Sequence, residues 1–159
     1  MNKLQWKTVY PQFSPREKWG DSEKMDFRLI WILYRARCLL GRRIYINRAV
    51  DPKGSESHKN GLAVDFRVEG VKLINIVPFK LPDKHGLGCS DWFTLSMNNN
   101  PAIFDIVRYF SLCRLGFYPY WTYNGKLWAG FHVDIKPEYL NWWRDAKGKY
   151  HYNLRLSKM

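Results

Sequence analysis

Two short stretches of this chain carry side chains able to hold a metal ion. In the run Ser55-Glu56-Ser57-His58-Lys59-Asn60-Gly61-Leu62-Ala63-Val64-Asp65-Phe66, a histidine precedes a glycine turn and an aspartate follows inside an alternating apolar segment. From Leu62 to Val68 the residues Leu62, Val64, Phe66 and Val68 share one face of a strand, and Ala63, Asp65 and Arg67 share the other. Asp65 therefore leaves the sheet opposite the core, and a chain reversal at Gly61 lets His58 fold back over it. The second stretch is Phe131-His132-Val133-Asp134-Ile135, with Phe131, Val133 and Ile135 on the apolar face and His132 and Asp134 on the other. Two imidazoles and one carboxylate supply three ligands of a tetrahedral site and leave a fourth place open. That is the pattern of a catalytic rather than a structural metal. The candidate ligands are His58, Asp65 and His132.

These residues must be carried by strands, and helices must cover the apolar faces those strands leave. Residues Met1 to Gly20 read as an ordered arm packed on the body rather than a regular element, with Ser14 and Pro15 able to start a short helix over Phe13 to Glu17. A helix is expected from Asp21 to Leu40, with an apolar face that includes Phe27, Ile30, Trp31, Leu33 and Tyr34 and a stop at Gly41. Ile44 to Ala49 alternates as a strand, and Asp51-Pro52-Lys53-Gly54 is a turn that delivers His58. Val71 to Asn100, interrupted by Pro78, Pro82, Gly86 and Gly88, reads as a long loop over the cleft. Its His85, Cys89 and Asp91 match no common ligand spacing. A second helix is expected from an Asn100 cap and Pro101 to a stop at Gly116, with Leu112 and Leu115 on its buried side. Phe117 to Ile135 then forms a hairpin about Asn124-Gly125, and Trp142, Trp143 and Tyr150 belong to a closing helix and tail.

Taken together, His58-x-x-Gly61-x-Ala63-x-Asp65, the segment Gly116-Phe117-Tyr118-Pro119 and the strand Phe131-His132-Val133-Asp134 resemble the zinc peptidases of the D-alanyl-D-alanine carboxypeptidase type. The Gly-x-Tyr-Pro segment ahead of His-Val-Asp is similar to the murein endopeptidase branch, which includes phage endolysins. The resemblance runs from about Phe13 to Trp143. It implies an α+β fold with a central antiparallel sheet and helices on one side, shared with the hedgehog signalling domain. It also implies a Zn2+ ion held by His58, Asp65 and His132, and a substrate drawn from peptidoglycan stem peptides or cross-links. Arg48 matches an arginine that ends the equivalent strand and holds substrate. The carboxypeptidase branch places an acid three residues before the last histidine, where this chain has Ala129. The endopeptidase-like branch instead carries an aspartate two residues after it, which makes Asp134 the candidate catalytic carboxylate or imidazole anchor. Glu56 stands where a serine is common in the family.

Length and composition bound these expectations. A chain of 159 residues is one domain, and an aromatic share of 17% with 46% apolar residues excludes disorder. The formal net charge of +12 calls for a polyanion, either nucleic acid or an anionic cell-wall polymer. No apolar run is as long as a membrane span, and the N-terminal residues lack a signal-peptide core. The expected protein is a cytoplasmic monomer, reaching the wall by release as a phage-type lysin does. Cys38, Cys89 and Cys113 are odd in number and widely spaced, so neither a disulfide framework nor a thiolate metal site is expected. The alternative is a catalytically inactive relative that uses its basic surface and aromatics to bind wall polymer or nucleic acid.

Overall fold

The computed structural model describes residues 1–71, 101–110, 113–136, 141–144 and 147–153. The expected loop after Val71, with His85, Cys89, Asp91 and the Asn100 cap, lies outside them.

The class is α+β. Among the described residues, six strands form one sheet in the order β1-β2-β4-β3-β5-β6. They are β1 (Ile44–Arg48), β2 (Ala63–Val68), β3 (Arg114–Tyr123), β4 (Lys126–Asp134), β5 (Asn141–Arg144) and β6 (Tyr150–Asn153). All neighbours are antiparallel except β3 and β5. The helices are α1 (Lys3–Val9), α2 (Phe27–Leu40), the single turn α3 (Glu56–Lys59) and α4 (Pro101–Tyr109). One sheet face, with Ile44, Ile46, Val64, Phe66, Val68, Phe117, Phe131 and Val133, shares a single core with buried residues of α1, α2 and α4. The stacked rings of Phe66 and Phe131, 5.6 Å apart, lie in it.

Local chemistry explains where the elements begin and end. The arm expected to be irregular starts with a helix: Asn2 accepts the Gln5 N–H at 3.0 Å, and Gln5 Oε1 accepts the Asn2 N–H at 2.9 Å, a reciprocal cap. The expected helix over Phe13 to Glu17 is only a turn, because Ser14 Oγ accepts the Arg16 N–H and the Ser14 carbonyl accepts the Trp19 indole N–H at 2.7 Å. Helix α2 starts at Phe27 rather than Asp21. The Asp26 N–H donates to the Gly61 carbonyl at 3.0 Å, which leaves the Asp26 carboxylate to cap the Arg28 N–H at 2.8 Å. Gly41, at φ 58°, ends the helix in the left-handed region as expected.

The second helix ends at Tyr109, not at Gly116. Pairing decides this: Arg114 lies opposite Asp134 and Leu115 opposite Val133, so both belong to β3. The hairpin turn is as expected, with Asn124 and Gly125 at φ 49° and 70°, both in the left-handed region that a two-residue primed turn requires. The expected closing helix is replaced by β5 and β6. Trp142 pairs with Gly116, and its indole fills the space over that glycine, where a Cβ would stand 2.2 Å from the ring. Such a contact needs an extended chain beside β3.

Candidate metal centre

Strand register joins two of the three ligands. Asp65 of β2 stands directly opposite His132 of β4, both on the face away from the core. His58 arrives from α3. The turn behind it is clamped, because a Cβ on Gly61 (φ +68°) would stand 2.2 Å from the Lys24 carbonyl oxygen. Only glycine meets both the angle and the approach. The three side chains are buried, and among the described residues they form the group whose ligand atoms all lie within 4.8 Å of one another. Donors about a tetrahedral zinc stand roughly 3.4 Å apart for bonds of about 2.1 Å. His58 Nε2 is 3.5 Å from Asp65 Oδ2, and His132 Nδ1 is 2.8 Å from Asp65 Oδ1. Small side-chain shifts would complete such a site.

Hydrogen bonds outside the ligand triangle fix the rings. His58 Nδ1 lies 2.6 Å from the Ala49 carbonyl oxygen. A carbonyl can only accept, so Nδ1 carries a proton, and Nε2 is the nitrogen that faces Asp65. His132 lies between two carboxylates, Asp65 at Nδ1 and Asp134 at Nε2, the latter at 3.2 Å. Loss of the Nδ1 proton would leave that nitrogen facing the ligand triangle while Asp134 keeps the Nε2 proton. Both imidazoles thus have the outer partner that ligating histidines characteristically have.

The charges follow from the same contacts. Burial would raise the Asp65 carboxyl, but hydrogen bonds and attraction from His132 and His58 overcome it and hold the group at about 2. Burial would lower the His132 imidazole, but Asp134 and Asp65 raise it above its ordinary value. Asp134 is likewise held below the usual carboxylate range against its burial, by His132, the Lys136 backbone N–H and Arg114. Arg114 Nε lies 3.6 Å from Asp134 Oδ1.

Around this centre opens a cleft of about 290 Å³. Arg48 lines it because β1 carries an extra residue: Ile46 pairs with Phe66 and Arg48 with Asp65, so the bulge at Asn47 turns Arg48 to the site face. There its guanidinium meets Asp51 at 2.6 Å. Glu56 is drawn away to Lys59 at 2.8 Å, and the adjacent buried Ser57 faces the cleft instead. Ala129 is fully buried in the core. An acid three residues before His132 would therefore enter the apolar face of β4, so Asp134 is the carboxylate this strand can present.

The structure thus brings His58, Asp65, His132 and Asp134 together, with Arg48 on the same cleft. Arg114 is hidden from sequence in the helix expected to end at Gly116, Trp142 and Tyr150 in the expected closing helix and tail, and Tyr152 is not singled out. Tyr118 stands in the Gly-x-Tyr-Pro segment, which by itself gives it no place in the site. The hairpin parity could have found it, since Tyr118 is two residues beyond Gly116, which pairs with His132. Burial, with Asp65 nearby, pushes the Tyr118 phenol well up, so it stays protonated. Comparison of the chain with known protein families, curated proteins and solved structures finds no match.

Proposed function

We propose that this chain is a zinc peptidase hydrolysing peptide bonds of peptidoglycan, of the D-Ala-D-Ala carboxypeptidase and murein endopeptidase type with its hedgehog-type fold. The observation that carries the reading is the convergence of His58 Nε2, Asp65 and His132 Nδ1, each imidazole held from outside by an acceptor. Zinc bound there supplies Lewis-acid polarisation of water and of the scissile carbonyl. The chain's own residues supply the rest. Asp134 keeps the His132 ring in register, Tyr118 offers a phenol proton to an oxygen gaining negative charge, and Arg48 offers its guanidinium to a substrate carboxylate. The charge of +12 attracts anionic wall polymer, in keeping with a protein that acts on the wall after release as a lysin does.

The test is metal analysis followed by digestion of purified peptidoglycan with and without chelator. Wild-type protein is expected to bind one zinc and to release peptide fragments that chelator abolishes. His58→Ala is expected to fall well below one zinc per chain after dialysis. Full zinc retention by that variant would sink the ligand assignment.

A second reading, a catalytically inactive protein binding wall polymer or nucleic acid, draws on one observation. Asp134 is already engaged by His132 and Arg114, so no uncommitted carboxylate stands beside the ligand triangle among the described residues. Zinc binding without peptide release in the digestion would favour it.

A further inference from the structure

Aromatic rings run outward from the metal centre to the surface. Trp142 lies 5.3 Å from His132, Tyr150 lies 5.2 Å from Trp142, and Tyr152 lies 6.3 Å from Tyr150, the last pair inclined by only 19°. The inner ring is buried, whereas Tyr150 is 42% and Tyr152 61% exposed. Both tyrosines sit two residues apart on the sheet's last strand and line the same cleft as His58 and His132. The Arg144 guanidinium lies over Tyr150, 5.5 Å from the ring centroid, and packing leaves the rest of both rings open to water beside a buried polar centre.

We propose that Tyr150 and Tyr152, with Trp142 behind them, form a binding platform for sugar rings, and that the cleft takes a peptide still joined to its glycan. The inference rests on the peptidase reading. A pyranose presents an apolar C–H face that gains from leaving water against a flat ring, while its rim of hydroxyls suits the phenol oxygens. Continuity favours a sugar over a nucleobase. A ligand on Tyr150 is only a ring's width from Trp142, which touches His132, so one molecule must offer an amide at one end and rings at the other. A sugar-linked peptide does this and a nucleic acid does not.

The probe is a peptide-free tetrasaccharide of alternating N-acetylglucosamine and N-acetylmuramic acid, titrated against metal-free and zinc-loaded protein by calorimetry. It should bind both forms alike, since the platform contains no ligand residue. Tyr150→Ala and Tyr152→Ala should each weaken it about tenfold with zinc content and circular dichroism unchanged, and Tyr152→Phe should lose less. No tetrasaccharide binding to wild type, undiminished binding by the doubly substituted Tyr150→Ala/Tyr152→Ala protein, or tighter binding of a single-stranded oligonucleotide would overturn the proposal. A parallel assay compares release from free and glycan-linked stem peptide. Glycan binding without any release removes the peptidase reading alone. Equal release from both substrates, with no glycan binding, removes the platform alone.

Discussion

At the scale of single residues, the role of Asp134 follows from what already holds its oxygens. One accepts from His132 Nε2, and the other lies near Arg114 and accepts the Lys136 N–H at 3.2 Å. These contacts favour the role of an imidazole anchor over that of a proton carrier. Asp134→Asn is therefore expected to loosen zinc about 10 to 100-fold, with excess zinc restoring turnover. A fall in turnover that zinc does not restore would make Asp134 a proton carrier instead. The pH dependence has a definite sign. In metal-free protein the His132 imidazole titrates above its ordinary 6.5, so its contribution to stability is complete below 6.5 and is lost as pH rises through the raised value. Asp65, depressed to about 2, contributes fully above the ordinary 3.8 and loses that contribution as pH falls toward 2. Thermal unfolding of chelator-treated protein should thus be most stable between these limits. Zinc affinity should run the other way, falling about tenfold per pH unit below the raised His132 value as one proton competes for Nδ1.

At the scale of elements, the seam between β3 and β5 carries more than its short pairing suggests. Trp142 lies over Gly116, touches His132 and meets the Tyr118 ring at 5.0 Å, so one indole backs both the centre and the cleft wall. Gly116→Ala should destabilise the fold by about 1 to 3 kcal/mol through overpacking. It should also change the near-ultraviolet circular dichroism as Trp142 is displaced, which equilibrium denaturation and the spectrum together would check. An unchanged spectrum would mean that the indole does not rest on this glycine. The β1 bulge also shapes the cleft. One extra residue changes which face Arg48 serves without disturbing the Ile44 and Ile46 core positions.

At the scale of the whole molecule, charge and layering divide the work. The helices and one sheet face form the apolar body, and the other face carries the polar centre. No helix among the described residues is long and apolar enough to cross a membrane. Attraction to an anionic wall should act through the basic surface, so retention on insoluble peptidoglycan should weaken as salt shortens the screening length from about 10 Å at 0.1 M to about 3 Å at 1 M. A sedimentation series at rising salt measures this. Retention that ignores salt would shift the affinity to the cleft itself.

Sequence alone determined the three candidate ligands, the faces of β2 and β4 that carry Asp65 and His132, and the Asn124-Gly125 turn. Each is a matter of local parity or of a backbone angle that few residues adopt, and both can be read along the chain. Tertiary structure decided what depends on partners distant in sequence. The Gly61 carbonyl moved the start of α2 from Asp21 to Phe27, and pairing with β4 turned Arg114 and Leu115 from helix to strand. The space over Gly116 made the segment around Trp142 a strand, and the extra residue in β1 brought Arg48 to the cleft. The apolar spacing in these segments fits more than one element, and only the neighbour that buries each face or accepts each N–H chooses between them.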